Sequence, residues 1–108
     1  MGYLLEFCFN HMFQKDLKSF NTSFVNHVLK EIGFDPKVYK QDADGIVQFL
    51  STKNISFKVF YVANKGWQYV GAYKDNIITE DFTYYKTLKE CARFGIIECC
   101  CFCMLMKI

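Results

Sequence analysis

One stretch constrains the chain more than any other: Ile96-Ile97-Glu98-Cys99-Cys100-Cys101-Phe102-Cys103-Met104-Leu105-Met106-Lys107-Ile108. It is almost continuously apolar, and cysteines stand at 99, 100, 101 and 103. A segment of this kind is a buried element, a lipid-modified tail or a thiol site, and each alternative defines a different protein. Read as a strand after a helix that stops at Gly95, it is apolar on both faces, as in a central strand covered on both sides. Cysteine acts there as a small hydrophobe beside Phe and Met. S-palmitoylation at Cys99, Cys100, Cys101 or Cys103 is the route by which this end would reach a membrane, though Lys107 is its only basic support. Zinc ligands normally converge from turns, whereas a strand spreads its sulfurs apart. A thiolate nucleophile needs a base and an oxyanion hole, and no local signature of either surrounds Cys8 or Cys91. Cys8, His11 and His27 are the remaining donors that tertiary folding would have to bring in.

The cysteines also bear on the compartment. Six is an even count, but four of the six fall within five residues and would close few separate loops. Tyr3–Phe13 is apolar but contains Glu6 and lacks a basic n-region and a small-residue cleavage site, so it does not read as a secretory signal. No apolar run approaches the ~18 residues that span a bilayer. The reading is an intracellular, cytoplasmic protein with reduced thiols. At 108 residues the chain is one domain, 1–108, long enough to bury a core without covalent staples.

Elsewhere the periodicity is informative. Phe20, Phe24, Val28 and Ile32 recur every fourth residue, with Leu17, Val25 and Leu29 widening the stripe, which predicts a helix over Lys15–Ile32. Gly33 ends it and Pro36 blocks its resumption. Tyr3–Phe9 reads as a strand. Asp42 to Gly45 reads as a turn and helix start, with Ile46, Val47, Phe49 and Leu50 forming a short helix to near Asn54. Ile55–Ala63 and Trp67–Lys74 flank Asn64-Lys65-Gly66 and predict a hairpin pairing Tyr61 with Tyr69 and Val59 with Gly71. One face of that hairpin carries Phe57, Val59, Tyr61, Trp67, Tyr69 and Tyr73. Thr79 or Asp81 would cap a third helix through Phe82, Tyr85, Leu88 and Ala92, stopped by Gly95. The expectation is an α+β fold: a mainly antiparallel sheet with helices on one face, in the order β-α-(α)-β-β-α-β.

Function is less constrained. A net charge of +2 with Arg93 as the only arginine gives no electrostatic case for nucleic acid or anionic membrane. Aromatics reach 19%, with twelve Phe, seven Tyr and one Trp, more than a small core easily encloses. That excess predicts exposed apolar surface and hence a protein partner or self-association. No set of residues assembles a catalytic or cofactor-binding motif, so the expectation is a small non-enzymatic interaction protein without a cofactor. The bias toward Lys, Asn, Ile, Phe and Tyr suits an AT-rich genome and a viral or pathogen accessory factor. Partner contact is expected at Trp67, Tyr69, Tyr73 and Lys65, because aromatic anchors dominate interface energy.

The stretch Lys65-Gly66-Trp67-Gln68-Tyr69-Val70-Gly71 resembles, over seven residues, the central motif of RNA-recognition-motif domains, departing from it at Gln68 and Ala72. The resemblance implies an alternative: single-stranded nucleic acid stacked on Trp67, Tyr69 and Tyr73 beside Lys58, Lys65 and Lys74. The discriminating observation is whether that hairpin face is open or dry. A thiol or metal-binding role is the remaining alternative.

Overall fold

A computed structural model describes residues 23–108 and, within the last strand, the backbone alone of residues 80–82. The elements are α1 (Ser23–Glu31), α2 (Ala43–Ser51), β1 (Ile55–Val62), β2 (Gly66–Tyr73), β3 (Asn76–Tyr85) and α3 (Leu88–Met106). The strands form an antiparallel sheet in the order β1-β2-β3, and the helices pack against it, so the expected α+β class holds. The expected strand at Tyr3–Phe9 lies outside the described residues.

The helix ends follow local chemistry. Gly33, at φ +84°, closes α1: its N–H donates to the Lys30 carbonyl at 3.1 Å and the Phe34 N–H to the Leu29 carbonyl at 2.9 Å. These two bonds form a Schellman motif, which favours glycine because the left-handed conformation crowds a Cβ. Val25, Val28 and Leu29 are the buried face of α1. Asp42 caps α2, its carboxylate accepting from the Gly45 N–H at 2.8 Å. Ile46, Phe49 and Leu50 bury the opposite side of that helix.

The β1–β2 hairpin forms with its expected faces, displaced in register by two residues. Tyr61 pairs with Trp67, Val59 with Tyr69 and Phe57 with Gly71. The turn is Ala63-Asn64-Lys65, with Asn64 at φ +63°, and Gly66 belongs to the strand. A displacement of two residues preserves the side-chain parity, so every residue keeps its face. The second turn, Lys74-Asp75, has both residues left-handed at φ +49° and +67°, as a two-residue type I′ hairpin requires.

The C-terminal third differs from expectation. Residues 76–85 are strand β3, and the segment expected as a strand, Ile96–Ile108, is mostly the second half of helix α3. Two local features account for this. Ile77, Ile78, Thr79, Thr83, Tyr84 and Tyr85 are β-branched or aromatic and favour a strand. Thr87-Leu88-Lys89-Glu90 has the capping-box pattern, and the Thr87 hydroxyl accepts from the Glu90 N–H at 3.1 Å. An unbroken apolar run fits a fully enclosed helix as well as a central strand; its length favours the helix.

α3 packs on all three strands, α2 contacts both α3 and β1, and α1 packs on α3. The sheet-facing side of α3 includes Cys91, Gly95, Glu98, Cys99 and Phe102, at helical spacing. Gly95 is therefore an interior contact and not a stop. A Cβ there would lie 2.7 Å from Tyr69 Cδ1 and collide with the Phe57 ring. At Gly71 the approach is reciprocal, since a Cβ would stand 2.6 Å from the Cys99 sulfur.

Candidate partner-binding surface

The described surface has a closed end and an open end. At the closed end Cys99, Cys101 and Cys103 are fully enclosed and Cys100 is 3% exposed. Burial pushes the Cys99 thiol up, with the neighbouring Glu98 carboxylate adding to the shift. Burial raises Cys100 as well, and raises Cys103 against an opposing pull from Lys53. These thiols stay protonated at neutral pH, and a protonated, enclosed sulfur is a poor nucleophile and a poor metal ligand. Among the described residues no three His, Cys, Asp or Glu side chains converge on a point that could hold a metal ion. Glu98 is the one charged residue in this enclosed stretch, and the hydroxyl of buried Thr79 donates to its carboxylate. Lys89, Glu90, Arg93 and Glu98 interrupt α3, and no described helix is long and apolar enough to cross a membrane.

The open end lies along β1 and the first turns of α3. Ile55, Phe57, Val59 and Tyr61 alternate along the inner face of β1, about 7 Å apart. Ile55 is buried, Phe57 and Val59 are half-buried, and Tyr61 is 58% exposed. Beside them opens a groove of about 720 Å³. Its floor is Phe57 and Val59; one wall is Ala43, Asp44, Val47 and Gln48 of α2. The other wall is Leu88, Lys89, Ala92 and Ile96 of α3. Asp44, Gln48, Leu88 and Lys89 are exposed at its rims.

One pleat beyond Val59, Tyr61 meets Trp67 edge-on, with ring centroids 5.3 Å apart at 64°. Trp67 is half-buried, and its backbone partner on β3 is Tyr85. Tyr85 stacks on Phe94 of α3 at 5.5 Å, which ties this end of the sheet to the helix. On the neighbouring corner Lys65 Nζ lies 5.5 Å above the Tyr84 ring. The tip is therefore an aromatic cluster with a cation at its margin.

The four residues expected to contact a partner separate on the structure. Trp67 and Lys65 stand at the tip. Tyr69 is 1% exposed, a core residue in ring contact with Phe57 at 6.0 Å and Tyr85 at 6.1 Å. Tyr73 is half-buried at the far end of β2, against Phe102 at 5.8 Å, with Lys74 Nζ 5.3 Å above its ring. The aromatic row thus does not form one open platform: its middle is dry under α3. Tyr61, Leu88, Ala92 and Val47 are additions from the structure. Tyr61 had a visible signal, its place on the aromatic face of the hairpin, while the groove walls come from segments far apart in sequence. His27 is exposed on α1, and Cys8 and His11 lie outside the described residues.

Compared with protein-family models, curated proteins and solved structures, the chain matches none.

Proposed function

We propose that this protein is a non-enzymatic protein-binding module that engages its partner through the open end of the domain. The observation carrying the reading is the Tyr61–Trp67 pair, partly exposed on the hairpin one pleat beyond Val59 of the groove floor. Tyr and Trp at such positions bring large contact area at small entropic cost, and interfaces concentrate their energy on them. The nucleic-acid alternative draws less support, because base stacking needs Tyr69 accessible and it is enclosed. The thiol alternative draws little, because the α3 cysteines are buried and burial raises Cys99, Cys100 and Cys103 toward the protonated form.

The test places a photo-reactive phenylalanine analogue at Tyr61 and, separately, at Phe60, one residue along the same strand on the opposite face. Irradiation of the full chain in native lysate is expected to give a discrete protein adduct from position 61, weakened by Trp67→Ala, and none from position 60. Equal labelling from both faces, or adducts to nucleic acid alone, would overturn the reading.

A further inference from the structure

We infer that the groove between α2, β1 and α3 receives an amphipathic α-helix of a partner protein, one whose apolar stripe has basic residues along one flank and acidic residues along the other. This inference rests on the protein-binding reading above and supplies the chemistry of the partner.

Three observations carry it. The first is shape. The walls are helices and the floor is the inner face of a strand, so a helix laid in the gap would extend the helical layer already covering the sheet. Leu88, Ala92 and Ile96 of α3 face Ala43 and Val47 of α2, each set at four-residue spacing. This is the ridge pattern into which a third helix packs, at interaxial distances of about 8–10 Å. The alanine on each wall leaves room for a helix backbone to come close.

The second is the nature of the lining. Phe57 and Val59 present side chains to the groove, not the hydrogen-bonding edge of β1. An extended peptide lying there would leave its backbone groups without partners. A helix satisfies its own backbone and needs only side-chain contacts.

The third is charge. Asp44 is exposed on the α2 wall and Lys89 on the α3 wall, so the two rims have opposite sign. A helix with one basic and one acidic flank complements both rims at once in one of its two directions, with the basic flank along Asp44, and is repelled at both in the other. Among the described residues a second copy of this chain is the poorer occupant, because Val25, Val28 and Leu29 of α1, Ile46, Phe49 and Leu50 of α2 and Ile96 to Cys103 of α3 lie in its own core and leave no helix with a long free apolar stripe.

The experiment uses the full chain and three synthetic fifteen-residue helical peptides sharing a leucine stripe at i, i+4, i+7 and i+11. Their flanks are Lys and Glu, Lys and Lys, or Glu and Glu, and binding is read by fluorescence anisotropy at low salt. The mixed peptide is expected to bind saturably, about threefold to tenfold more tightly than the other two. Asp44→Lys should make the Glu/Glu peptide the tightest, and Lys89→Glu should do the same for the Lys/Lys peptide. Leu88→Glu should weaken all three at least about tenfold, whereas Ile77→Glu on the outer sheet face should change none.

Absence of saturable binding, or a ranking that ignores the rim charges, would overturn the inference. So would a concentration-dependent dimer by light scattering that the peptides dissociate, which would assign the groove to a second copy. Labelling of residues 1–22 of the same chain by a photo-reactive analogue at Val47 would overturn it too. If the peptides fail while the Tyr61 adduct to a protein persists, the helical occupant falls and the protein-binding reading stands; loss of both removes both.

Discussion

The two halves of α3 are both rich in apolar residues and put them to opposite uses. From Gly95 to Cys103 every residue is buried, with the sheet on one side and α1 and α2 on others. In the first turns Leu88 is 44% exposed and Ala92 half-buried, over a groove. The first half carries Lys89, Glu90 and Arg93 and the second only Glu98, and the cover differs accordingly. The enclosed half holds the fold together, and its sulfurs are filler. The uncovered half leaves Leu88 and Ala92 facing the groove.

The contrast can be broken most forcefully at Gly95. Gly95→Leu forces a side chain against Phe57 and Tyr69, and a loss of about 3 kcal/mol is expected in urea titrations. A variant of near-native stability would mean that the enclosed half is no more tightly packed than the open one.

The next effect is alkaline. The Cys99 and Cys100 thiols are raised in the folded state, so the native chain retains protons that the unfolded chain releases. The stabilisation is complete below the ordinary thiol value of 9.0 and is lost as pH rises above it. Each thiol should withdraw about 1.4 kcal/mol for one pH unit above that value, read from urea midpoints at pH 8 to 10.5. Cys99→Ala with Cys100→Ala should flatten the slope; an unchanged slope would show that these sulfurs are not held as described.

A smaller loss, about 1–2 kcal/mol, is expected for Thr79→Val, which removes a hydroxyl donor from the buried Glu98 carboxylate while keeping side-chain shape. The smallest stability change belongs to the open half. Leu88→Glu sits in the first turn of α3, where an acidic residue suits the helix dipole, and should shift stability by no more than about 0.5 kcal/mol. Partner contact through the groove should nonetheless be lost, which sharpens the division between the two halves.

Local signals made the helices at 23–51 and the two faces of the first hairpin legible. The four-residue spacing through Val28 and Ile32, the stop at Gly33 and the cap at Asp42 are short-range effects, and each appears where the sequence places it. The identity of the last two elements was not legible from periodicity. A helix enclosed on all sides and a strand covered on both faces produce the same unbroken run of apolar residues. Gly95 compounded the ambiguity, since a glycine required for close packing looks like a terminator. The Thr87–Glu90 capping box and the turn-forming residues Asp75 and Asn76 were the available discriminators. Trp67 and Lys65 at the tip followed from the hairpin, but the groove did not: it exists only once α3 begins at Leu88 and passes beside α2.

The clustering of Cys99, Cys100, Cys101 and Cys103 on one enclosed helix makes the domain's reversibility conditional on a reducing solution. Opening α3 would release four neighbouring thiols together, and Cys99, Cys100 and Cys103 would lose the burial that holds their protons in the folded chain, so that they ionise more readily once exposed. In the presence of an oxidant, sulfurs this close would cross-link within the chain or between chains over repeated openings, since disulfide formation is slow beside re-closure. Lifetime would then follow the population of the opened form and the oxidant concentration.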